Sequence, residues 1–296
     1  MNRTTIGAVG ALMMTVCTVT HAGYTKLEVP GASMTHAQGI DGDNIVGYYM
    51  GLDAHGFLYD GDSYTPIDMP GAGFSSVSDI DGSRVVGLGL GRYGFIYDKD
   101  TSTYTTLNIP GISEAKPTGI DGGNIVGFYE DPSGTHGFVY DGSTSATLDA
   151  PGATFTMASK IDGTRVVGTY EDAAGIHGYV YDQGVYTTLD VPGASGTQAY
   201  GIDGTDIVGH YEDASGIHGF IYDGATYTTL DVPGNSSTYA LGIDDGNVVG
   251  FYSIRGSGDI YGFVYEPDVI VPVPAAAVLS TCGAGLALFL RRWRFV

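Results

Sequence analysis

Cysteine is nearly missing from this chain: of 296 residues only Cys17 and Cys282 carry a thiol, and both lie in apolar end segments. The region between them therefore has neither a disulfide nor a cysteine-based zinc site, and its stability must come from packing. Basic residues are also scarce. Eight lysines and arginines stand against all 33 acidic residues between positions 23 and 268, a balance that excludes nucleic acid, which needs counter-charge for its phosphates. Catalytic signatures are missing too: there is no Gly-x-Ser-x-Gly, no His-Glu-x-x-His, no phosphate-cradling Gly-Lys-Ser/Thr loop and no dinucleotide fingerprint. In excess are glycine, with 48 residues, and tyrosine, with 22, as expected of many short strands joined by tight turns.

Three markers recur in one order, six times. An Ile-Asp pair begins at residues 40, 80, 120, 161, 202 and 243, a step of 40 to 41 residues. A Pro-Gly pair ends at Gly31, Gly71, Gly111, Gly152, Gly193 and Gly234, and an aromatic run begins at His55, Tyr93, His136, His177, His218 and Tyr261. Such self-similarity is the signature of a repeat architecture. Within the fifth copy, "ATYTTLDV", "QAYGI", "TDIVGHY" and "IHGFIY" read as four strands rich in β-branched and aromatic residues. Asp203-Gly204, Asp213 to Gly216 and Asp223-Gly224 supply the turns between them. Four strands in about 41 residues fit one blade of a β-propeller, so the expected fold is all-β: six four-stranded blades over residues 23–268. The chain enters the cycle at "GYTKLEVPG", so its first strand can complete the last blade and close the ring. A parallel β-solenoid is the alternative, with shorter coils and no hairpin turns.

The two ends read as addresses. Arg3, an apolar run from Ile6 to Val19 and "THAG" make residues 1–22 a secretory signal peptide cleaved after Ala22. Residues 269–296 combine a Pro-containing motif, about sixteen apolar residues read as an anchor helix in the membrane, and Arg291, Arg292 and Arg294, which would stay cytoplasmic. The motif Val271-Pro272-Val273-Pro274-Ala275 resembles the PEP-CTERM class of sorting signals, in its variant beginning Val-Pro-Leu-Pro-Ala. That resemblance implies an exosortase-type processing enzyme as a partner and export to the cell surface or its polysaccharide matrix. Residues 24 to 266, with Ile-Asp-Gly, Ile/Val-Val-Gly and His-Gly-Phe, resemble the extracellular HAF repeats. That family implies an exported repeat protein without an agreed activity.

Among candidate site residues, His55, His136, His177 and His218 occupy equivalent strand positions and would suit a ring of metal ligands. Tyr93 and Tyr261 replace two of them, and tyrosine is a poor divalent-metal ligand, so the position reads as half-buried packing. Asp203 and its equivalents read as turn formers that bond their own turn backbone. Gly209 and Gly219 leave room for a close sheet or ring. The acidic loops carrying Glu130 and Asp131, Glu171 and Asp172, and Glu212 and Asp213 are the candidate cation ligands, with calcium the cofactor they would take; no other cofactor is expected. Two functions fit. One is a non-catalytic cell-surface or matrix protein that binds extracellular polysaccharide or another envelope component; the other is a glycan-active hydrolase or lyase using two carboxylates in one concave pocket.

Overall fold

β-Branched and aromatic residues alternating between two-residue Asp-Gly turns fold locally into antiparallel hairpins, and six copies in tandem give six meanders. The computed structural model describes residues 17–20, 23–89, 93–235, 237–267 and 269–272, in two compact units: Tyr24–Glu266, and Met1–Gly23 with Pro267–Val296. In chain order β1 is Cys17–Thr20 and β2 is Gly23–Leu27. The first meander is β3 (Met34–Asp41), β4 (Asn44–Met50), β5 (Ala54–Tyr59) and β6 (Tyr64–Ile67). The second is β7 (Ser76–Asp81), β8 (Arg84–Leu88), β9 (Gly94–Asp98) and β10 (Thr103–Thr106). The third comprises β11 (Lys116–Asp121), β12 (Asn124–Asp131), β13 (Gly134–Tyr140) and β14 (Ser145–Leu148). The fourth comprises β15 (Phe155–Asp162), β16 (Arg165–Asp172), β17 (Gly175–Asp182) and β18 (Val185–Leu189). β19 (Gly196–Asp203), β20 (Asp206–Asp213), β21 (Gly216–Tyr222) and β22 (Tyr227–Leu230) form the fifth. β23 (Ser237–Asp244), β24 (Asn247–Ser253) and β25 (Ile260–Glu266) begin the sixth, and β2 pairs with β25 as its fourth strand. No helix occurs among the described residues.

The meanders are stitched side by side. Single parallel bridges join Thr135 to Phe155, Ile176 to Gly196, Ile217 to Ser237 and Ile260 to Met34, the last linking the sixth meander to the first. Their cores lie between them. Val208, Leu230 and Val232 of the fifth repeat pack with Ala240, Ile243, Val248 and Phe263 of the sixth, and each consecutive pair shares an equivalent cluster. Leu27, Val29 and Val249 pack with Ala37, Ile45 and Phe57, which closes the cycle. The glycine after each Val-Val or Ile-Val pair is required by this packing: a Cβ on Gly209 would overlap the Gln198 carbonyl of the facing strand and the Phe220 ring, and one on Gly219 would meet the Leu230 carbonyl.

A bulge occurs at one place in every first-to-second strand pair. Opposite β20, the register of β19 slips between Ala199 and Gly201, leaving Tyr200 as the extra residue, and the same slip leaves Gln38, Ser78, Thr118, Ser159 and Leu241 in the other copies. Bulges re-aim side chains, and these six converge on one cavity.

The apolar run expected as an anchor helix within residues 269–296 lies outside the described residues, and the residues described before it do not join a helix. Val269–Pro272 is a strand, β26, paired antiparallel with β1 from Cys17↔Pro272 to Thr20↔Val269. Val-Ile-Val is β-branched and Pro272 has no amide hydrogen, so the stretch favours extended backbone. Ala22, Val273, Pro274, Ala275, Arg291, Arg292 and Arg294 lie outside the described residues, and among the described ones no helix is long and apolar enough to cross a membrane.

One core position predicts a gain in stability. Phe57, Phe95, Phe138, Phe220 and Phe263 are fully buried, and the fourth repeat has Tyr179 there, its hydroxyl buried without a partner. Removing an unsatisfied buried hydroxyl while keeping the ring should help, so Tyr179→Phe is expected to raise stability by about 1 kcal/mol. A urea melt that places the variant at or below the wild type would contradict this.

Candidate binding site on the central axis

An antiparallel meander puts its first and third turns at one end, and its second turn and exit at the other, so the axis shared by the innermost strands has two different mouths. At the first-turn mouth stand Asp41, Asp81, Asp121, Asp162, Asp203 and Asp244, which line one cavity with Ile40, Ile80, Ile120, Ile161, Ile202 and Ile243. These aspartates do form turns, but their carboxylates do not bond their own turn backbone as expected. Each accepts a hydrogen bond from an amide in the turn of the next copy: Gly82 N donates to Asp41 at 2.7 Å, Gly122 N to Asp81 at 2.9 Å, Gly163 N to Asp121 at 2.7 Å and Gly204 N to Asp162 at 2.7 Å. Asp245 N donates to Asp203 at 2.9 Å, and Gly42 N to Asp244 at 2.8 Å completes the circle. The turn geometry makes the amide available, since Gly204 has φ 54° and Asp245 adopts φ 47° in its place. Burial among acidic neighbours holds the Asp203 carboxyl above its usual range.

Carboxylates thus gather in one concave mouth, as the hydrolase reading requires, but all six serve as latches between copies. Their mutual equivalence assigns them to the scaffold. Just inside, symmetry breaks. Where four repeats have Gly39, Gly119, Gly201 and Gly242, the second has Asp79 and the fourth Lys160. Lys160 Nζ reaches across the third repeat to Asp79 Oδ1 at 2.5 Å and donates to the Ser78 carbonyl at 2.7 Å, while Ile120 N donates to Asp79 Oδ2 at 2.9 Å. Both side chains are about nine-tenths buried. Burial pushes the Asp79 carboxyl up and the Lys160 ammonium down, against their mutual attraction.

On the far side of this plug lies the second mouth, where the repeats differ at each inward position. The bulged residues Gln38, Ser78, Thr118, Ser159, Tyr200 and Leu241 line one cavity with Met157 and Lys160. Two residues earlier on each first strand stand His36, Ser76, Lys116, Met157, Gln198 and Tyr239, paired across to Tyr48, Leu88, Phe128, Thr169, His210 and Phe251. The copies share little at these three positions, whereas the Ile-Asp turn and the glycine of the second strand recur in all six. In the fifth, sixth and first repeats the variable residues form an unbroken aromatic arc: Tyr200 stacks on His210, His210 meets Tyr239, Tyr239 stacks on Phe251, and Phe251 contacts His36, which stacks on Tyr48. Ring centroids along it are 4.0 to 5.3 Å apart. His36 and His210 are each 8% exposed, and burial lowers both to a pKa of about 4, so both imidazoles are neutral at pH 7.

The rim carries the sequence-predicted histidines. His55, His136, His177 and His218 do not meet as a metal ring; each Nδ1 bonds the aspartate before the Pro-Gly pair, Asp68, Asp149, Asp190 or Asp231, at 2.8 to 2.9 Å. In three copies Nε2 also faces Asp131, Asp172 or Asp213 at 3.3 to 3.4 Å. The partner aspartate changes with the histidine: Tyr93 goes with Asn108, and Tyr261 with Glu28 and Lys26, whose ammonium lies 3.4 Å from the Tyr261 ring centroid. That 13-residue pairing was the signal available in sequence. The bond to Asp149 raises the pKa of His136.

Ser215 Oγ lies 2.9 Å from His218 Nε2, and Ser133 Oγ lies 3.0 Å from His136 Nε2, so both copies reproduce the spacing of a serine, base and orienting carboxylate. They lack the rest of an acyl-transfer site. The Ser215 hydroxyl and amide are both spent on Asp213 Oδ1, and the fourth copy has Ala174 at the serine position. The candidate cation ligands are similarly engaged: Asp131, Asp172 and Asp213 accept turn hydrogen bonds that hold them below the usual carboxylate range, and Glu130 pairs with Lys116. Among the described residues no three metal-ligating side chains converge.

No protein-family model and no curated protein matches the chain. Solved structures do. The β-propeller domain of the Trilobed protease from Pyrococcus furiosus, described as having an open velcro topology, matches with TM-score 0.56 at 14% identity, over 83% of this chain and 86% of that one. TolB from Acinetobacter baumannii matches with TM-score 0.50 at 12% identity, over 80% of this chain and 64% of that one. At such identities the likeness speaks for fold alone: this is an all-β protein of the β-propeller kind.

The plug yields a double-mutant prediction. Asp79→Gly leaves a buried ammonium unpaired and should cost about 3–5 kcal/mol, whereas Asp79→Gly with Lys160→Gly makes both repeats like the other four and should recover most of that loss. Urea melts of the two single variants and the double would show additive costs if the pair were not coupled.

Proposed function

We propose that the six meanders are the blades of a six-bladed β-propeller over residues 23–268, and that the protein is an exported, non-catalytic module binding extracellular polysaccharide at its second axial mouth. The observation that carries this reading is where the repeats differ. The three inward positions of the second mouth differ between most copies, while the opposite mouth keeps six identical aspartates. A scaffold constrains every copy alike, so inward positions that vary while the latch turns stay constant mark a surface free to do something other than hold the fold. Aromatic rings beside amide, hydroxyl and carboxylate groups suit a sugar, whose C–H faces stack and whose hydroxyls need polar partners.

Export rests on the sequence of residues 1–22 and 269–296. In this proposal Ala22 ends the signal peptide, an exosortase-type enzyme recognises the Val271–Ala275 motif, and the tail holds the protein at the membrane or releases it to the surface matrix. The acidic excess of residues 23–268 opposes nucleic acid as a ligand. Catalysis is disfavoured because the gathered carboxylates are committed to latches and the Ser215 and Ser133 hydroxyls are committed to Asp213 and Asp131.

Binding of the intact protein to a panel of bacterial exopolysaccharides, with product analysis, tests this. At least one polymer should bind without cleavage, and Tyr239→Ala should weaken it by about tenfold. Cleaved products, or binding that is indifferent to Tyr200 and Tyr239, would overturn the proposal.

A further inference from the structure

The second mouth holds a cavity of about 370 Å³ on the fifth repeat, bounded by Gln198, Tyr200, His210, Glu212 and Ile217, with Tyr239 of the sixth repeat and Ile176 of the fourth at its two sides. That volume falls within the ~300–1,000 Å³ of small-molecule sites. No lysine or arginine lines it, and its histidine is neutral at pH 7. Glu212 is exposed and supplies the cavity's negative charge. Gln198 Oε1 accepts the Tyr200 hydroxyl at 2.9 Å, which leaves the amide N–H groups as donors for a guest.

The third repeat shows what such a glutamate takes. Lys116 and Phe128 are a cross-strand pair, as are Gln198 and His210 in the fifth repeat, and Glu130 follows Phe128 by two residues as Glu212 follows His210. In the third copy Lys116 Nζ sits 2.5 Å from Glu130 Oε1 and 4.9 Å from the Phe128 ring centroid. An ammonium between a carboxylate and an aromatic face is therefore built in there. The fifth copy keeps the glutamate and an aromatic ring, replaces the lysine with Gln198, and has the cavity beside them.

Building on the polysaccharide reading above, we propose that this cavity binds an amine-bearing sugar unit, its ammonium on Glu212 in the place Lys116 takes beside Glu130, its ring against Tyr239 and Tyr200, and its hydroxyls on Gln198. Such a ligand is a polymer or oligomer containing hexosamine with free amino groups. The excess of acidic residues over the whole chain favours a cationic ligand and repels uronate polymers.

The test is calorimetric titration of the intact protein with three oligomers of equal length: β-1,4-linked glucosamine tetramer, its fully N-acetylated form, and a galacturonate tetramer. The glucosamine tetramer is expected to bind best. Glu212→Gln should weaken it about tenfold and leave the acetylated form unchanged. Tyr239→Ala should weaken both, and Glu171→Gln, in the matching loop of the fourth repeat and outside the cavity, should change neither. If the acetylated or uronate tetramer binds as tightly and depends on Tyr239, the amine assignment is overturned while the polysaccharide reading stands. If no tetramer binds but a polymer from the panel does so through Tyr239, the assignment is likewise overturned. If nothing binds at all, both fall.

Discussion

No repeat in this protein buries its own apolar face, and the rest of the structure depends on that fact. The last valine of each second strand, and the leucine or isoleucine three residues before each Pro-Gly pair, pack against the following copy, so every core is shared between neighbours. Stability in such an array is a sum of nearest-neighbour interfaces. An open array would leave one such face uncovered at each end, and here β2 completes the sixth sheet while Leu27 and Val29 pack on the first repeat. The aspartate circle follows the same path, each turn held by the next, with the bond from Gly42 to Asp244 spanning 202 residues of sequence.

A scaffold held by its interfaces leaves few positions free, and those positions carry the asymmetry. Residues at the shared cores, the latch turns and the close-approach glycines are fixed by their neighbours. The bulged residue and the cross-strand pair two positions away face the axis instead, where substitution disturbs no interface. The freed positions became an aromatic arc over three adjacent repeats, and next to the bulge two copies replace the usual glycine with Asp79 and Lys160, an ion pair that plugs the centre. The two mouths therefore differ in kind: one is uniform and committed, the other varied and lined with rings.

Much of this was legible from residues alone, and the limits have physical causes. Periodicity and Asp-Gly turns gave the four strands per copy, because turn chemistry and side-chain alternation are local. The Gly209 and Gly219 class was readable as packing for the same reason. The partner of each ring aspartate was not, since Asp203 bonds an amide 42 residues away, and a local turn is the default for that residue type. His218 was readable as scaffold, but its clamp between Asp213 and Asp231 requires knowing which strands adjoin. Tyr200, His210 and Tyr239 were passed over because they lie in different strands and only the bulge and the closed arrangement bring them together. Ahead of the apolar tail, β-branching and Pro272 make Val269–Pro272 a strand, a preference hydropathy does not register.

The central claim is that one mouth of the axis is scaffold and the other is the binding face. Hydrogen–deuterium exchange of the intact protein, with and without a bound exopolysaccharide, tests it most directly, because both mouths report in one experiment. The account predicts added protection in the mouth-proximal ends of β19, β20 and β23, around Gln198, His210 and Tyr239, with the turns after Asp121, Asp162 and Asp203 unchanged. Protection centred on those aspartate turns, with the aromatic mouth unaltered, would contradict it.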